Sequence, residues 1–407
     1  MLRLFRTNYA FRSFLFFKTF SGVGVNVFAM IIIWVVHALF RNPLYTGLAG
    51  FMAAAPGIVS FLAGPFIDRF SKVTLLRIAC FTQFCVTAVL FALPPDVLSG
   101  RAWVVLLTVL IFNIARIIAL PAGVALLPKI VDSDNLVKAN SMISICSIFG
   151  GFGIVSLLFI LMDRVDFRVI FAINSVILLI GLANSIKLRI SEDESHLQIN
   201  AKTYFHDLKE GLVFVANGTM LPLMLSLVSV RFVSEIVSVS LPMFVDTYGG
   251  TASGYMLYMI FGMLGGTAGP MISGPVGRKF SVSKIFIVGY IAAGVSWLIF
   301  VNVAIFSFFG ALPINALFGV IVTTITIFAQ TLTQRLPPPH TVARISTIKT
   351  SLYNTSAAIG ALLGGFLGGV IPSVGTILSL QGAAYITIAI LLCLSAKFRA
   401  LPKICEI

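Results

Sequence analysis

Three residues could do chemistry from inside long apolar stretches of this chain: Arg116, Arg231 and Glu235. A charge held in hydrocarbon is costly and generally serves a task. Arg231 and Glu235 are four positions apart, so on a helix they share a face and can pair. Glu235 is the one carboxylate set well inside an apolar stretch. It is therefore the candidate to take up and release a proton, with a permanent ion pair that fixes packing as the competing reading. Arg116 has no carboxylate within the apolar stretches of its own half of the chain, because Asp68, Asp163 and Asp166 all belong to the breaks between them. Asn26 and Asn113 can solvate it without cancelling its charge. Arg116, Asn26, Asn113 and Arg231 are thus the candidate residues for holding a small anionic molecule. The alternative for Arg116 is a bond to backbone carbonyls or asparagines of its own half. His37, near one end of the first stretch, reads as an interfacial residue rather than a proton relay.

Other chemistries are not indicated. The chain has no G-x-x-x-x-G-K-[ST] motif, so ATP does not drive it directly. Gly22-Val23-Gly24 lies inside an apolar stretch and is no dinucleotide loop. Of five cysteines, Cys80, Cys85, Cys146 and Cys393 fall in apolar runs and Cys405 near the end, without metal-ligand or disulfide-framework spacing. No catalytic residue, metal or cofactor is expected. The formal charge of +14 does not mark a nucleic-acid binder, because the basic residues are spread over short breaks rather than gathered on one soluble face.

The elements that position these residues are membrane helices. Hydrophobic residues make up 58% of the 407-residue chain and charged ones only 10%, against a usual charged share of about 25%. Taking about 20 apolar residues per span, the sequence predicts twelve helices: 13–36, 46–67, 74–93, 103–126, 141–161, 169–187, 219–245, 254–276, 284–301, 306–329, 345–371 and 375–395. The first is too long for a signal-peptide core and lacks a small-residue cleavage site. Only these three charges are expected near mid-helix. The longest polar interval holds Glu192-Asp193-Glu194, ends in Phe205-His206-Asp207-Leu208-Lys209-Glu210, and reads as a linker between the halves with a short amphipathic helix lying on the membrane. The expected organisation is a six-helix half over 1–187, a cytoplasmic linker over 188–218 and a second six-helix half over 219–407. Placing both termini and the linker on one side assigns that side 22 of the 28 Lys and Arg residues and the other side four. By the positive-inside rule the richer side is cytoplasmic. Trp34, Trp103 and Trp297 are expected at the outer interface, where indole rings are favoured.

An internal repeat supports the two halves. Gly64-Pro65-Phe66-Ile67-Asp68-Arg69-Phe70-Ser71 reappears, altered, as Gly274-Pro275-Val276-Gly277-Arg278-Lys279-Phe280-Ser281, 210 positions later. Such duplication is the layout of secondary transporters. With Lys72, the first copy resembles the loop signature G-x-L-A-D-R-x-G-R-K of the major facilitator superfamily. Leu127-Pro128-Lys129-Ile130-Val131 and Asn135-Leu136-Val137-Lys138-Ala139-Asn140-Ser141 resemble its drug/proton antiporter branch, which holds macrolide efflux proteins and siderophore exporters. The fifth helix has Gly150-Gly151-Phe152-Gly153 but lacks that branch's usual Gly-Pro pair.

The resemblance implies an all-α fold of twelve helices in two halves and a monomer in the bacterial inner membrane among lipids. It implies export of a siderophore-like metabolite or drug by alternating access, driven by protons. A lysophospholipid flippase of the same superfamily and a non-transporting membrane receptor or scaffold stand as alternatives. The resemblance also implies that Asp68, with Arg69 and Lys72, gates by meeting a helix end across the halves; simple topology retention is the plainer role. Gly360, Gly364 and Gly368 share one face of the eleventh helix, with Gly365 and Gly369 beside it. They are expected at the contact between halves, or else in tight packing within one half.

Overall fold

The computed structural model describes residues 2–60, 70–188, 220–337, 342–399 and 401. Twelve long helices are present among them: α1 Tyr9–Phe40, α2 Pro43–Ile58, α3 Lys72–Ala92, α4 Ala102–Ile130, α5 Ser133–Leu161, α6 Phe167–Ile186, α7 Met220–Tyr248, α8 Ala252–Lys279, α9 Val282–Phe306, α10 Phe308–Arg335, α11 Val342–Val370 and α12 Val374–Leu394. Each expected span finds its helix. In lipid the backbone must satisfy its own polar groups, and a continuous helix does so. Ten of the twelve are long and apolar enough to cross a membrane. The described part of α2 has only 16 residues. The 29-residue α11 is diluted by Ser346, Lys349, Ser351 and Asn354 in its first half.

Helix starts follow local capping. The Asn8 side chain accepts from the Phe11 amide at 2.8 Å, so α1 begins four residues before the predicted Ser13. Ser71, Asp166, Thr251 and Ser307 cap α3, α6, α8 and α10 in the same way. The α1–α2 turn passes through Arg41 at φ 46°, and the corresponding α7–α8 turn through Gly250 at φ 75°.

The described residues gather into two compact units, 1–41 with 52–199 and 42–51 with 200–407. In the first, α6 lies against α1 and α3, α3 against α4, and α5 against α1. In the second, α12 lies against α7 and α9, α9 against α10, and α11 against α7. These four pairings recur at equivalent positions in the two units, whereas the α8–α10 pairing is described in the second alone. Beyond Leu188, the expected linker lies outside the described residues.

Each unit also ties down its own last helix. In the first, the Arg77 guanidinium donates to the carbonyls of Ser185 at 3.0 Å and Leu188 at 2.8 Å, just past α6. In the second, the Ser283 hydroxyl lies 2.8, 3.1 and 3.2 Å from the carbonyls of Phe398, Arg399 and Leu401.

Three interfacial expectations are overturned, for Trp34, Trp297 and His37, all of which are buried. Trp297 is 1% exposed, and its indole donates to the Leu378 carbonyl at 2.8 Å, so it is a core residue of α9. His37 is buried rather than interfacial, its ring 6.0 Å from that of Trp34. Trp103, by contrast, is 61% exposed at the start of α4. Several glycines serve packing within the second unit. A Cβ on Gly364 would fall 2.7 Å from the Ile236 carbonyl oxygen, and one on Gly265 would overlap that of Ala316. Backbones approach this closely only where side chains are absent.

Candidate functional site

Each unit contains a cavity. In the first, a space of about 220 Å³ is walled by Lys18 and Asn26 of α1, Gln83 of α3, Arg116 of α4 and Ser147 of α5, with apolar residues between. Capping by Asn8 places Lys18 nine residues inside α1, about 13 Å along the helix. Arg116 donates through Nη1 to the Asn113 side-chain oxygen at 3.4 Å. Asn113 in turn donates to the Val109 carbonyl at 2.9 Å and is buried. Asn113 therefore steadies the guanidinium from behind, outside the cavity wall. Asn26 does line the wall.

In the second unit, a larger cavity of about 460 Å³ is bounded by Arg231 and Ser234 of α7, Tyr290 of α9, Gln330 of α10, Lys349 and Tyr353 of α11, and Tyr385 of α12. Arg231 and Glu235 form the expected pair, Nη2 to Oε2 at 2.8 Å. The guanidinium also lies 5.2 Å from the Tyr353 ring centroid, a cation–π contact. Glu235 stands behind Arg231 and is not among the wall residues. Its side chain is 13% exposed against 33% for Arg231. It fits there because Gly360 of α11 presents no side chain: a Cβ on Gly360 would fall 3.2 Å from that of Glu235. Lys349 reaches Thr333 Oγ1 at 3.5 Å.

The structure thus brings Arg116 together with Asn26, and Arg231 with Glu235, in two cavities, one to each unit. Lys72 is at the start of α3, donating to the Phe70 carbonyl at 3.1 Å. Asp68 and Arg69 lie outside the described residues. Beyond the three charges expected near mid-helix, Lys18 and Lys349, which fall inside the expected spans 13–36 and 345–371 but were not singled out, also line the cavities. Gln83, Tyr353 and the other wall tyrosines were missed as well. For Lys18 the signal was Asn8: counting α1 from its cap rather than from its first apolar run moves the lysine inward by a turn. Among the described residues, no wall residue of either cavity is Asp or Glu.

Paired helical units, each with a mainly apolar cavity carrying a few charged and polar residues, have the layout of a membrane transporter. The chain belongs to the major facilitator superfamily, whose family profile matches residues 13–361. It is a multi-pass membrane protein. Over 152 residues it is 29% identical to the "Staphyloferrin A transporter" of Staphylococcus aureus (strain NCTC 8325 / PS 47), a match spanning 35% of this chain and 36% of that protein. Among solved structures, it resembles a variant of the nucleoside transporter NupG with TM-score 0.76, 11% identity, and coverage of 94% of this chain and 99% of the other. It also resembles the inward-open xylose transporter XylE from E. coli, with TM-score 0.69, 13% identity, and coverage of 95% and 96%.

Proposed function

We propose that this transporter exports a small anionic or amphiphilic organic molecule, such as a siderophore-like metabolite or an acidic drug, in exchange for protons. The observation that carries this reading is the charge of the cavity walls. Lys18 and Arg116 border one cavity, Arg231 and Lys349 the other, and neither wall includes a carboxylate among the described residues. Cations in a cleft with low-dielectric walls focus a positive field that concentrates anions and repels lipophilic cations. The partial match to a transporter named for staphyloferrin A is consistent with a metabolite of siderophore type. Glu235 is the residue proposed to carry the proton, with Arg231 as its charge partner. The 22-to-4 division of basic residues favours cytoplasmic termini in a bacterial inner membrane.

The test is uptake into inverted membrane vesicles or proteoliposomes of an acidic substrate, its neutral ester and a lipophilic cation, in wild type and Arg116→Gln. The acid is expected to move fastest, and Arg116→Gln to reduce its transport about tenfold, the cost of roughly one charge-assisted contact. Preference for the cation, or equal loss of all three in the variant, overturns the reading.

A further inference from the structure

We propose that the cavity of the first unit is a two-point receptor for a dicarboxylate, in which Lys18 and Arg116 each take one carboxylate and the Gln83 amide donates to a ligand oxygen. The inference rests on the anionic-substrate reading above and specifies it further.

Three observations combine. First, the Lys18 ammonium lies over Gly123 of α4: a Cβ built on Gly123 would overlap the Lys18 Nζ and stand 2.6 Å from its Cε. Gly123 thus makes room for this cation, and its identity fixes where the charge sits. Second, Gly123 follows Arg116 by seven residues, two turns, or about 10 Å along the same face of α4. Arg116 leans the opposite way, toward Asn113 one turn earlier. The two cations therefore stand well apart along one wall. Third, Gln83 is 2% exposed, borders the cavity, and its Nε2 has no hydrogen-bond partner. A buried amide donor without an acceptor favours any ligand that brings an oxygen to it.

The spacing decides the ligand class. A point anion such as phosphate, or one carboxylate, meets one cation at a time. A charge-assisted bond adds about 3 Å at each end, so cations seated at points of α4 about 10 Å apart, and leaning no closer, are bridged by carboxylates about 4 Å or more from each other. Two carboxylates joined by a short carbon chain meet that condition. The volume agrees: about 220 Å³ is below the roughly 300–1,000 Å³ of sites that enclose a whole drug-sized ligand. This cavity accommodates a small dianion or the acidic end of something larger.

The test is calorimetric titration of the full-length protein in lipid nanodiscs with glutarate, butyrate and inorganic phosphate. Wild type is expected to bind glutarate at least tenfold more tightly than butyrate or phosphate. Lys18→Gln removes one charge, and Gly123→Ala displaces the same charge without removing it. Each is expected to bring glutarate down to the affinity of butyrate, while butyrate itself changes less than about twofold. Equal binding of glutarate and butyrate by wild type overturns the proposal without needing any variant to fold, as does failure of all three anions to bind. A tenfold gap that survives in Lys18→Gln also overturns it. Transport preference for acids over cations is measured separately, so failure of the two-point site is distinguishable from failure of the anionic-substrate reading.

Discussion

In the first unit, the carbonyls that end α6 are held by a guanidinium, Arg77; in the second, those beyond α12 converge on a hydroxyl, Ser283. The cavities differ in the same spirit. The first has Lys18 and Arg116 on its wall, the latter hydrogen-bonded to Asn113, whereas in the second Arg231 is engaged by Glu235. The turns differ too, with Arg41 where the other half has Gly250. Duplication has preserved four helix pairings, because these depend on the spacing of apolar faces. The polar devices have diverged, because each depends on only one or two side chains.

Three changes break or sharpen this comparison. The largest effect is expected from Glu235→Gln, which removes the carboxylate that stands behind Arg231 in the second unit. Export is expected to lose its dependence on a pH gradient while exchange at equal pH persists, measured in proteoliposomes with imposed gradients. Continued accumulation of substrate against a gradient would place coupling elsewhere.

Next in size are the two clamps. Arg77→Ala removes charge-assisted bonds and is expected to cost about 2–3 kcal/mol, whereas Ser283→Ala removes one shared proton and is expected to cost about 1 kcal/mol. Denaturant or thermal unfolding of the full-length protein in nanodiscs measures both. Equal costs would mean that the two clamps are energetically the same device despite their chemistry. The smallest effect is at the turns. A non-glycine residue at positive φ is strained, so Arg41→Gly is expected to stabilise by about 0.5–1 kcal/mol and Gly250→Ala to destabilise by about 1 kcal/mol. The same unfolding curves read both, and a loss on Arg41→Gly would show that the arginine side chain does more there than occupy the turn.

The spans, the repeat and the Arg231–Glu235 pair were legible in the sequence because each rests on a period: 20 residues of apolarity, a displacement of 210, and a spacing of four. What was not legible depends on which helix faces which. Trp297 has the composition of an interface residue, yet the carbonyl that takes its proton belongs to Leu378, 81 positions away. Lys18 reads as a basic flank until Asn8 is recognised as the cap and Gly123 as the gap beneath its ammonium. Tyr353 enters the second cavity only because α11 lies against α7, a pairing that the local pattern of neither helix specifies.

The Arg77 clamp also sets an order of events in synthesis. Its first acceptor, Ser185, is encoded 108 residues later, so at about 5–20 residues per second the guanidinium waits some 5–20 s for its partner. During that interval a cation at the start of α3 can be satisfied only by water or lipid headgroups. The clamp can therefore close only after α6 has been made, which puts it among the last contacts of the unit to form.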